Sequence, residues 1–220
     1  MSLNILFKDE LRGFYKSKVM IVLWIGLPLL AALIYFWSPD TGQEIPFAAF
    51  SALLLSSIGG TLASVMLAVS IINEKDKKVY DLFLIRPIKR RDILISKFLA
   101  VYLCIVIAGL ISLGLGMTID YFYLGGTPEV ILESALESVV LTISMMAIAS
   151  GAGVLIGVIS PSVLVGAIIV IYGGNQIAIV PLLPDMLGLN NELFFSILFS
   201  GVITVALLGL AVGIFQRKQF

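Results

Sequence analysis

The residues that could do chemistry in this chain are concentrated in one polar interval, which runs from residue 73 to residue 97. Eight of the 14 lysines and arginines lie in it, together with four acidic residues. A short apolar run, Leu82 to Ile85, lies among these charges, and Pro87 follows it. Mixed charges around an apolar run are typical of a docking segment, whose apolar side chains enter a groove on another protein while the charges fix the register.

The residue types present exclude several kinds of catalytic site. The chain has no histidine and a single cysteine, Cys104. Histidine-dependent zinc sites, serine–histidine triads and histidine proton relays are therefore absent, and no intrachain disulfide can form. The apolar stretches contain almost no ionisable residue, whereas carriers driven by ion gradients usually need one near the middle of the membrane. We expect no catalytic residue and no metal site on this chain.

The elements that must position the polar interval are membrane helices. Hydrophobic residues make up 60% of the 220 residues, which is more apolar surface than a soluble domain of this size can bury. Only helices and closed barrels satisfy the backbone in lipid, so the sequence predicts an all-α integral membrane protein with one transmembrane domain over residues 1–220. Six stretches are long enough to span a bilayer: 19–37, 47–72, 98–119, 132–159, 163–183 and 193–215.

The distribution of positive charge predicts the orientation. With six spans, all 14 lysines and arginines fall on one side, which the positive-inside rule makes cytoplasmic. Both termini are then cytoplasmic, and the protein is expected to be a multi-pass protein of the plasma membrane. Residues 1–18 predict an amphipathic helix in the membrane interface, with its basic residues near lipid phosphates. Glu10 interrupts the apolar face of this helix, for which the sequence offers no reason other than a partner there.

The cytoplasmic interval 73–97 is predicted to hold a coupling helix, from about Glu74 to Arg86, that ends near Pro87. The alternative is a basic loop on anionic lipid, which accounts for the bases but not for the interleaved acids. An unbroken helix from Asp92 to Ile119 would be about 42 Å long, so the flanking spans could project as stalks. The predicted docking residues are Glu74, Val79, Asp81, Leu82, Phe83, Arg86, Pro87, Arg90 and Arg91.

Two further features of the spans have two interpretations each. Asn175 and Gln176, which follow Gly173 and Gly174, either line a path for cargo or make a hydrogen bond between helices, and the hydrogen bond is favoured because membrane interiors use these side chains this way routinely. The glycine pairs at 153 and 157 and at 209 and 213 match the small-residue packing pattern, which marks either a dimer face or packing within the chain. Packing within the chain is favoured for both pairs, because glycine-rich spans match this pattern often by chance.

The chain resembles the membrane subunits of type 2 ATP-binding-cassette exporters. The resemblance rests on an acidic residue after a span (Glu74), an amphipathic stretch (79–85), Pro87, a basic residue (Arg90 or Arg91) and Lys97 at the next span. The six spans, the cytoplasmic termini and the N-terminal interfacial helix also match. The resemblance implies that two such subunits pair, that each engages a cytoplasmic ATPase through the interval 73–97, and that cargo passes between the subunits by alternating access.

The resemblance also implies where the nucleotide binds. This chain has no GxxxxGK[ST] phosphate-binding loop, so ATP and Mg are expected on the partner ATPase and no cofactor is expected on this chain. Lipid is an expected partner and nucleic acid is not. The alternatives are a carrier or channel that works without nucleotide, and a membrane scaffold or assembly factor that recruits a partner through the same interval. A membrane-embedded enzyme is disfavoured because no histidine or buried acid pair is available for its chemistry.

Overall fold

The computed structural model describes residues 3–37, 47–77, 89–123, 128–187 and 191–217. Nearly all of these residues are helical, and none of them lies in a β-strand. The predicted all-α class is therefore confirmed for the part of the chain that is described. The helices are α1 (Leu3–Tyr15), α2 (Lys18–Trp37), α3 (Phe47–Asp76), α4 (Arg90–Tyr123), α5 (Pro128–Ile159), α6 (Val163–Ile169), α7 (Asn175–Ala178), α8 (Leu183–Met186) and α9 (Glu192–Arg217).

Five segments of the described chain are long and apolar enough to cross a membrane: 54–76, 91–119, 136–159, 163–182 and 193–217. A sixth is counted if α1 and the adjoining part of α2, which meet at a bend of 61°, form one broken span. The predicted first span corresponds to α2, whose 20 residues would extend about 30 Å. The number of spans is thus five or six, and the prediction of six is the upper of these two values.

The two helices on either side of the docking interval are longer than a bilayer requires. Helix α3 has 30 residues and α4 has 34, which correspond to about 45 Å and about 51 Å against a hydrocarbon core of about 30 Å. The predicted continuity of helix from Asp92 to Ile119 is confirmed. Residues 73–76 belong to α3 and residues 90–97 belong to α4. The segment that connects the two helices is therefore shorter than the predicted interval 73–97. Its residues 78–88 lie outside the described part.

The closest packing in the bundle joins α3 to α5. A Cβ atom placed on Gly153 would lie 2.5 Å from the backbone oxygen of Ser64, and one on Gly157 would lie 3.0 Å from the Cα atom of Ala68. Only glycine permits so close an approach of two helix backbones. The hydroxyl of Ser64 donates a 2.7 Å hydrogen bond to the carbonyl oxygen of Ala149 at the same crossing. Packing within the chain is therefore confirmed for the first glycine pair.

The second glycine pair behaves differently. A Cβ atom on Gly209 or Gly213 would meet none of the described atoms within 4 Å. These glycines lie on α9, which packs along α5 but leaves much of its surface open. The expectation of close packing within the chain is therefore wrong for Gly209 and Gly213, because the described helices do not approach this side of α9.

The fifth span is not one continuous α-helix. Helix α6 ends at Ile169, a π-helical turn follows over Val170–Gly174, and α7 resumes at Asn175. Beyond α7, a 3-10 turn over Val180–Leu182 leads into the short helix α8. This last part folds against the start of α9, where the hydroxyl of Ser196 donates a 2.7 Å hydrogen bond to the carbonyl oxygen of Pro181.

The remaining helices pack around the α3–α5 pair. Helix α4 contacts both α3 and α5, and α1 and α2 pack mainly on α4. The indole nitrogen of Trp24 on α2 donates a 3.1 Å hydrogen bond to the carbonyl oxygen of Cys104 on α4. The segment from α6 to α7 lies against α3 and α5. The bundle therefore brings α1, the end of α3 and the start of α4 together at one end.

Candidate functional site: an ion cluster at the base of the docking interval

Three ionisable side chains from three helices meet where the docking interval leaves the bundle. Lys97 of α4 lies between Glu74 of α3 and Glu10 of α1, with its Nζ atom 2.5 Å from Oε1 of Glu74 and 2.9 Å from Oε1 of Glu10. The Ser70 hydroxyl lies 3.3 Å from the same nitrogen. The ring of Phe14 completes the enclosure, with its centroid 5.9 Å from Nζ. We call Glu10, Glu74 and Lys97 the basal cluster.

The cation of this cluster is almost completely removed from solvent. The side chain of Lys97 is 2% exposed, whereas those of Glu10 and Glu74 are 23% and 25% exposed. An isolated buried ammonium would be strongly destabilising, so this lysine depends on a carboxylate partner, and Glu74 is the nearer of its two. The cluster therefore holds α1, α3 and α4 in one arrangement, since moving any of the three helices away removes a partner of a buried charge.

Glu10 has an explanation that the sequence alone did not provide. It lies on the face of α1 that packs against α4, where it meets Lys97. Burial raises the pKa of Glu10 above its ordinary value of 4.5, an effect that the charge of Lys97 and its hydrogen bond partly oppose. Glu74 and Asp9 add to the rise because they also carry negative charge. Glu10, which interrupts the apolar face of α1, is thus the residue through which α1 pairs with Lys97 of α4.

Glu74 has one oxygen still available. Its Oε1 atom accepts from Lys97 and lies 3.4 Å from the hydroxyl of Ser70, but its Oε2 atom is buried without a hydrogen-bond partner among the described residues. With two carboxylates and one ammonium, the cluster carries a formal net charge of −1 when all three groups are ionised. It is therefore suited to accept one more hydrogen-bond donor.

A second polar link joins the same end of the bundle to the turn between α5 and α6. The Nζ atom of Lys75 donates a 2.6 Å hydrogen bond to the carbonyl oxygen of Ser160, which immediately follows α5. A cation at this position satisfies a carbonyl at a helix C-terminus and complements the helix dipole. The base of the docking interval and the turn 160–162 therefore lie on the same side of the bundle.

The structure describes three of the predicted docking residues. Glu74 lies on α3 in the basal cluster. Arg90 is the first residue of α4, and the side chain of Arg91 is 55% exposed and pairs with Asp92 at 3.3 Å. The other predicted docking residues lie outside the described residues; they are Val79, Asp81, Leu82, Phe83, Arg86 and Pro87. Glu10 was not among the predicted docking residues, although its position on the apolar face of α1 was a signal.

The predicted path residues lie beside the π-helical turn. Asn175 begins α7, and Gln176 follows it with an exposed side chain. No hydrogen bond joins the Gln176 side chain to another of the described residues, and the two interpretations of this pair both stay predictions. π-Helical turns within α-helices often occur at functional sites. Gly174 packs close to the Ser64 hydroxyl, 3.6 Å from a Cβ placed there, which ties this turn to the α3–α5 crossing.

Tyr172 is another polar side chain of this span for which the described residues show no hydrogen-bond partner. It lies four residues before Gln176, within the π-helical turn, and is 76% exposed. Counted at about 1.5 Å per residue from Val163, where the predicted fifth span begins, Tyr172 lies about 14 Å and Gln176 about 20 Å along that span, against a hydrocarbon core about 30 Å thick. A hydroxyl or amide without a partner in hydrocarbon costs about 2–7 kcal/mol. Facing lipid at this depth would therefore be unfavourable for both side chains.

The described residues offer no site for a metal ion, since no three of their cysteine, aspartate and glutamate side chains come together. The long apolar helices define the chain as a multi-pass membrane protein. Comparison of the sequence with protein-family models and with curated proteins finds no match.

Proposed function

We propose that this protein is the membrane subunit of an ATP-driven exporter of the type 2 ATP-binding-cassette class. In this proposal a separate cytoplasmic ATPase grips the interval between α3 and α4, and the membrane helices respond by changing shape. The observation that carries the proposal is the basal cluster. It joins the two helices that flank the docking interval to each other and to α1, through a lysine that is 2% exposed.

The geometry supports transmission of force in the following way. Helices α3 and α4 extend about 15–20 Å beyond what a bilayer needs, so both can reach into the cytoplasm. A push on the interval between them acts on two long helices that Lys97 holds together near their base. Because Lys97 also binds Glu10, α1 moves with them. A movement at the docking interval is thereby passed to three helices together.

The remaining parts of the proposal follow from the resemblance and the charge distribution. Both termini and the docking interval lie in the cytoplasm, the membrane is the plasma membrane, and a second membrane subunit pairs with this one. ATP and Mg bind to the partner ATPase, which carries out the bond chemistry. Val79, Leu82, Phe83 and Arg86 form the contact with that ATPase, and Asn175 and Gln176 lie on the route of the cargo.

The test uses purified complexes and a double substitution in the docking interval. We expect an ATPase with a phosphate-binding loop to co-purify with the full-length chain from its native membrane. Replacing Leu82 and Phe83 with glutamate should abolish coupling, so that ATP hydrolysis no longer responds to the membrane subunit in proteoliposomes. The membrane helices should remain folded, because both residues lie in the sequence between the predicted second and third spans.

The matched control is Lys77→Glu, which makes the same change of two charge units at an exposed lysine just after α3. It should retain most of the co-purifying ATPase. If no ATPase co-purifies from native membranes, or if coupling survives the Leu82 and Phe83 substitutions, the proposal is wrong. A carrier or channel that needs no nucleotide would instead show transport in vesicles that lack ATP.

A further inference from the structure

The basal cluster has more hydrogen-bond acceptors than donors. The ammonium group of Lys97 has three N–H donors, and three acceptors lie around it. They are the Oε1 atoms of Glu74 and Glu10, at 2.5 Å and 2.9 Å, and the hydroxyl of Ser70, at 3.3 Å. The Oε2 atom of Glu74 is buried and accepts no hydrogen bond from the described residues. Lys97 therefore has no donor left for it, and the cluster lacks one positive charge for neutrality.

The other charged groups near the cluster are engaged elsewhere or are exposed. On α3, Lys75 donates to the carbonyl oxygen of Ser160, and on α4, Arg91 pairs with Asp92. The exposed charged residues on the neighbouring parts of α1, α2 and α3 are Asp9, Arg12, Lys18 and Asp76. Lys97 is thus the cation that the two carboxylates share.

We propose that Glu10 is a proton-binding site, and that the proton it takes up from the surrounding water controls how firmly α1 is held in the bundle. The proton adds to an oxygen of the Glu10 carboxylate, which becomes a neutral carboxyl group with an O–H donor. The cluster changes from a net charge of −1 to zero, and Lys97 keeps Glu74 as its counter-ion. Loss of the proton to water restores the starting state.

The contacts favour Glu10 over Glu74 as the group that takes the proton. A carboxylate is stabilised by a close opposite charge and by hydrogen-bond donors. Glu74 is the nearer to the ammonium and has the Ser70 hydroxyl at 3.4 Å as well. Glu10 has the longer of the two contacts with Lys97, while its side chain is about as buried as that of Glu74. Burial raises the pKa of Glu10, which agrees with this assignment.

Protonation of Glu10 should strengthen the docking of α1. When α1 leaves the bundle, Glu10 enters water and its pKa returns to the ordinary value of 4.5. The docked helix binds the proton more tightly, so docking is strongest below pH 4.5 and weakens as the pH rises through the raised pKa. Between these two pKa values the docking equilibrium changes by up to about tenfold for each pH unit. The inference therefore adds a regulator to the cluster, and it rests on the proposed function only for the role of α1 in transmitting force.

Infrared spectroscopy of the full-length chain tests the proton site directly. Protonated carboxyl groups are detected by their C=O stretch, in a detergent without ester groups so that lipid esters do not overlap. We expect a carboxyl band that disappears with a midpoint above pH 4.5 and that is missing from Glu10→Gln. The matched control is Asp76→Asn, which makes the same chemical change at an exposed carboxylate of α3 and should keep the band.

Thiol labelling measures the effect on α1. Leu6 is the buried residue of this helix, so Leu6→Cys, in a Cys104→Ala background, should react with a water-soluble maleimide when α1 leaves the bundle. The labelling rate is divided by that of the same protein with Glu10→Gln, which cancels the pH dependence of the thiol itself. This ratio should be constant below pH 4.5 and rise by up to about tenfold for each pH unit until the raised pKa is passed.

Each outcome decides the proposal. An infrared midpoint at or below pH 4.5, or a band that persists in Glu10→Gln, would overturn the proton site. A labelling ratio that does not change with pH would overturn the control of α1. If Leu6→Cys does not fold, the infrared midpoint, which needs no cysteine variant, still decides whether Glu10 binds the proton.

The result can be separated from that of the proposed function, because neither measurement needs an ATPase. Absence of the proton site in a chain that still co-purifies with an ATPase would refute this inference alone. A proton site at Glu10 in a chain that co-purifies with no ATPase would support the inference and refute the exporter.

Discussion

Replacing Lys97 with methionine should destabilise the bundle more than any other single change in the basal cluster. The substitution keeps an unbranched side chain, shorter by one atom, and removes its charge. Glu10 and Glu74, each of which had approached Nζ within 2.9 Å, would then face each other without a cation between them. Breaking a buried ion pair by removing one partner costs about 3–5 kcal/mol, because the remaining charge is left uncompensated.

The expected effect on thermal stability follows from this cost. For chains of about this length, 1 kcal/mol changes the melting midpoint by about 2–4 °C, so Lys97→Met should lower it by roughly 10 °C. Cys104 supplies the assay. It is 1% exposed, so a fluorogenic maleimide should label it only when the detergent-solubilised protein unfolds. Lys77→Met, at an exposed lysine, is the control and should change the midpoint little.

A triple variant distinguishes ion pairing from loss of packing. Lys97→Met combined with Glu10→Gln and Glu74→Gln removes every charge of the cluster while keeping its volume. Neutral replacement of a buried ion cluster is often tolerated, so the triple variant should recover much of the lost stability. A single variant as stable as the parent, or a triple variant no better than the single one, would refute the idea that Lys97 is held by its carboxylates.

Three other predictions concern packing, protonation and a helix end. Gly153→Ala should lower the melting midpoint by several degrees, because the added carbon would lie 2.5 Å from a backbone oxygen of α3. Gly209→Ala is the control and should change the midpoint little. Equal effects of the two substitutions would contradict the packing described. The raised pKa of Glu10 means that its contribution to stability is complete below its ordinary pKa of 4.5 and is lost as pH rises through the raised value. Glu10→Gln should therefore match the parent at low pH and equal or exceed its stability at neutral pH, as melting curves across pH would show, and a variant that weakens only at neutral pH would contradict this sign. Lys75→Met removes a 2.6 Å hydrogen bond to the carbonyl oxygen of Ser160 and should lower the free energy of unfolding by about 1–3 kcal/mol. The same melting assay measures this effect, and an unchanged midpoint would contradict it.

The positions of the membrane helices could be predicted from sequence because hydropathy in lipid is a local property. Each of the long helices described overlaps a predicted span, and the helical stalk from Asp92 to Ile119 follows from the lack of a breaker there. The π-helical turn at Val170–Gly174 could not be predicted in the same way. Two glycines permit such a turn, but its formation depends on how the segment packs against α3 and α5.

The glycine pairs show why partners are harder to predict than positions. Both pairs have the same spacing, yet Gly153 packs against α3 and Gly209 meets no described helix. Two glycines four residues apart indicate only that another helix can approach closely at that point. Similarly, Glu10 was recognisable as an exception to the apolar face of α1, but its partner Lys97 lies 87 positions further along the chain. Only the fold brings these two residues together.

The contact between Gly153 and Ser64 limits how this protein can change shape. Backbones this close cannot slide past each other without a steric clash, so α3 and α5 form one rigid pair. Relative movement is then left to the elements around this pair, which are α1 and α2 on one side and the interrupted fifth span on another. A displacement of the end of α3 would therefore move α5 with it, and the π-helical turn at Val170–Gly174, which packs against both helices, lies beside this pair.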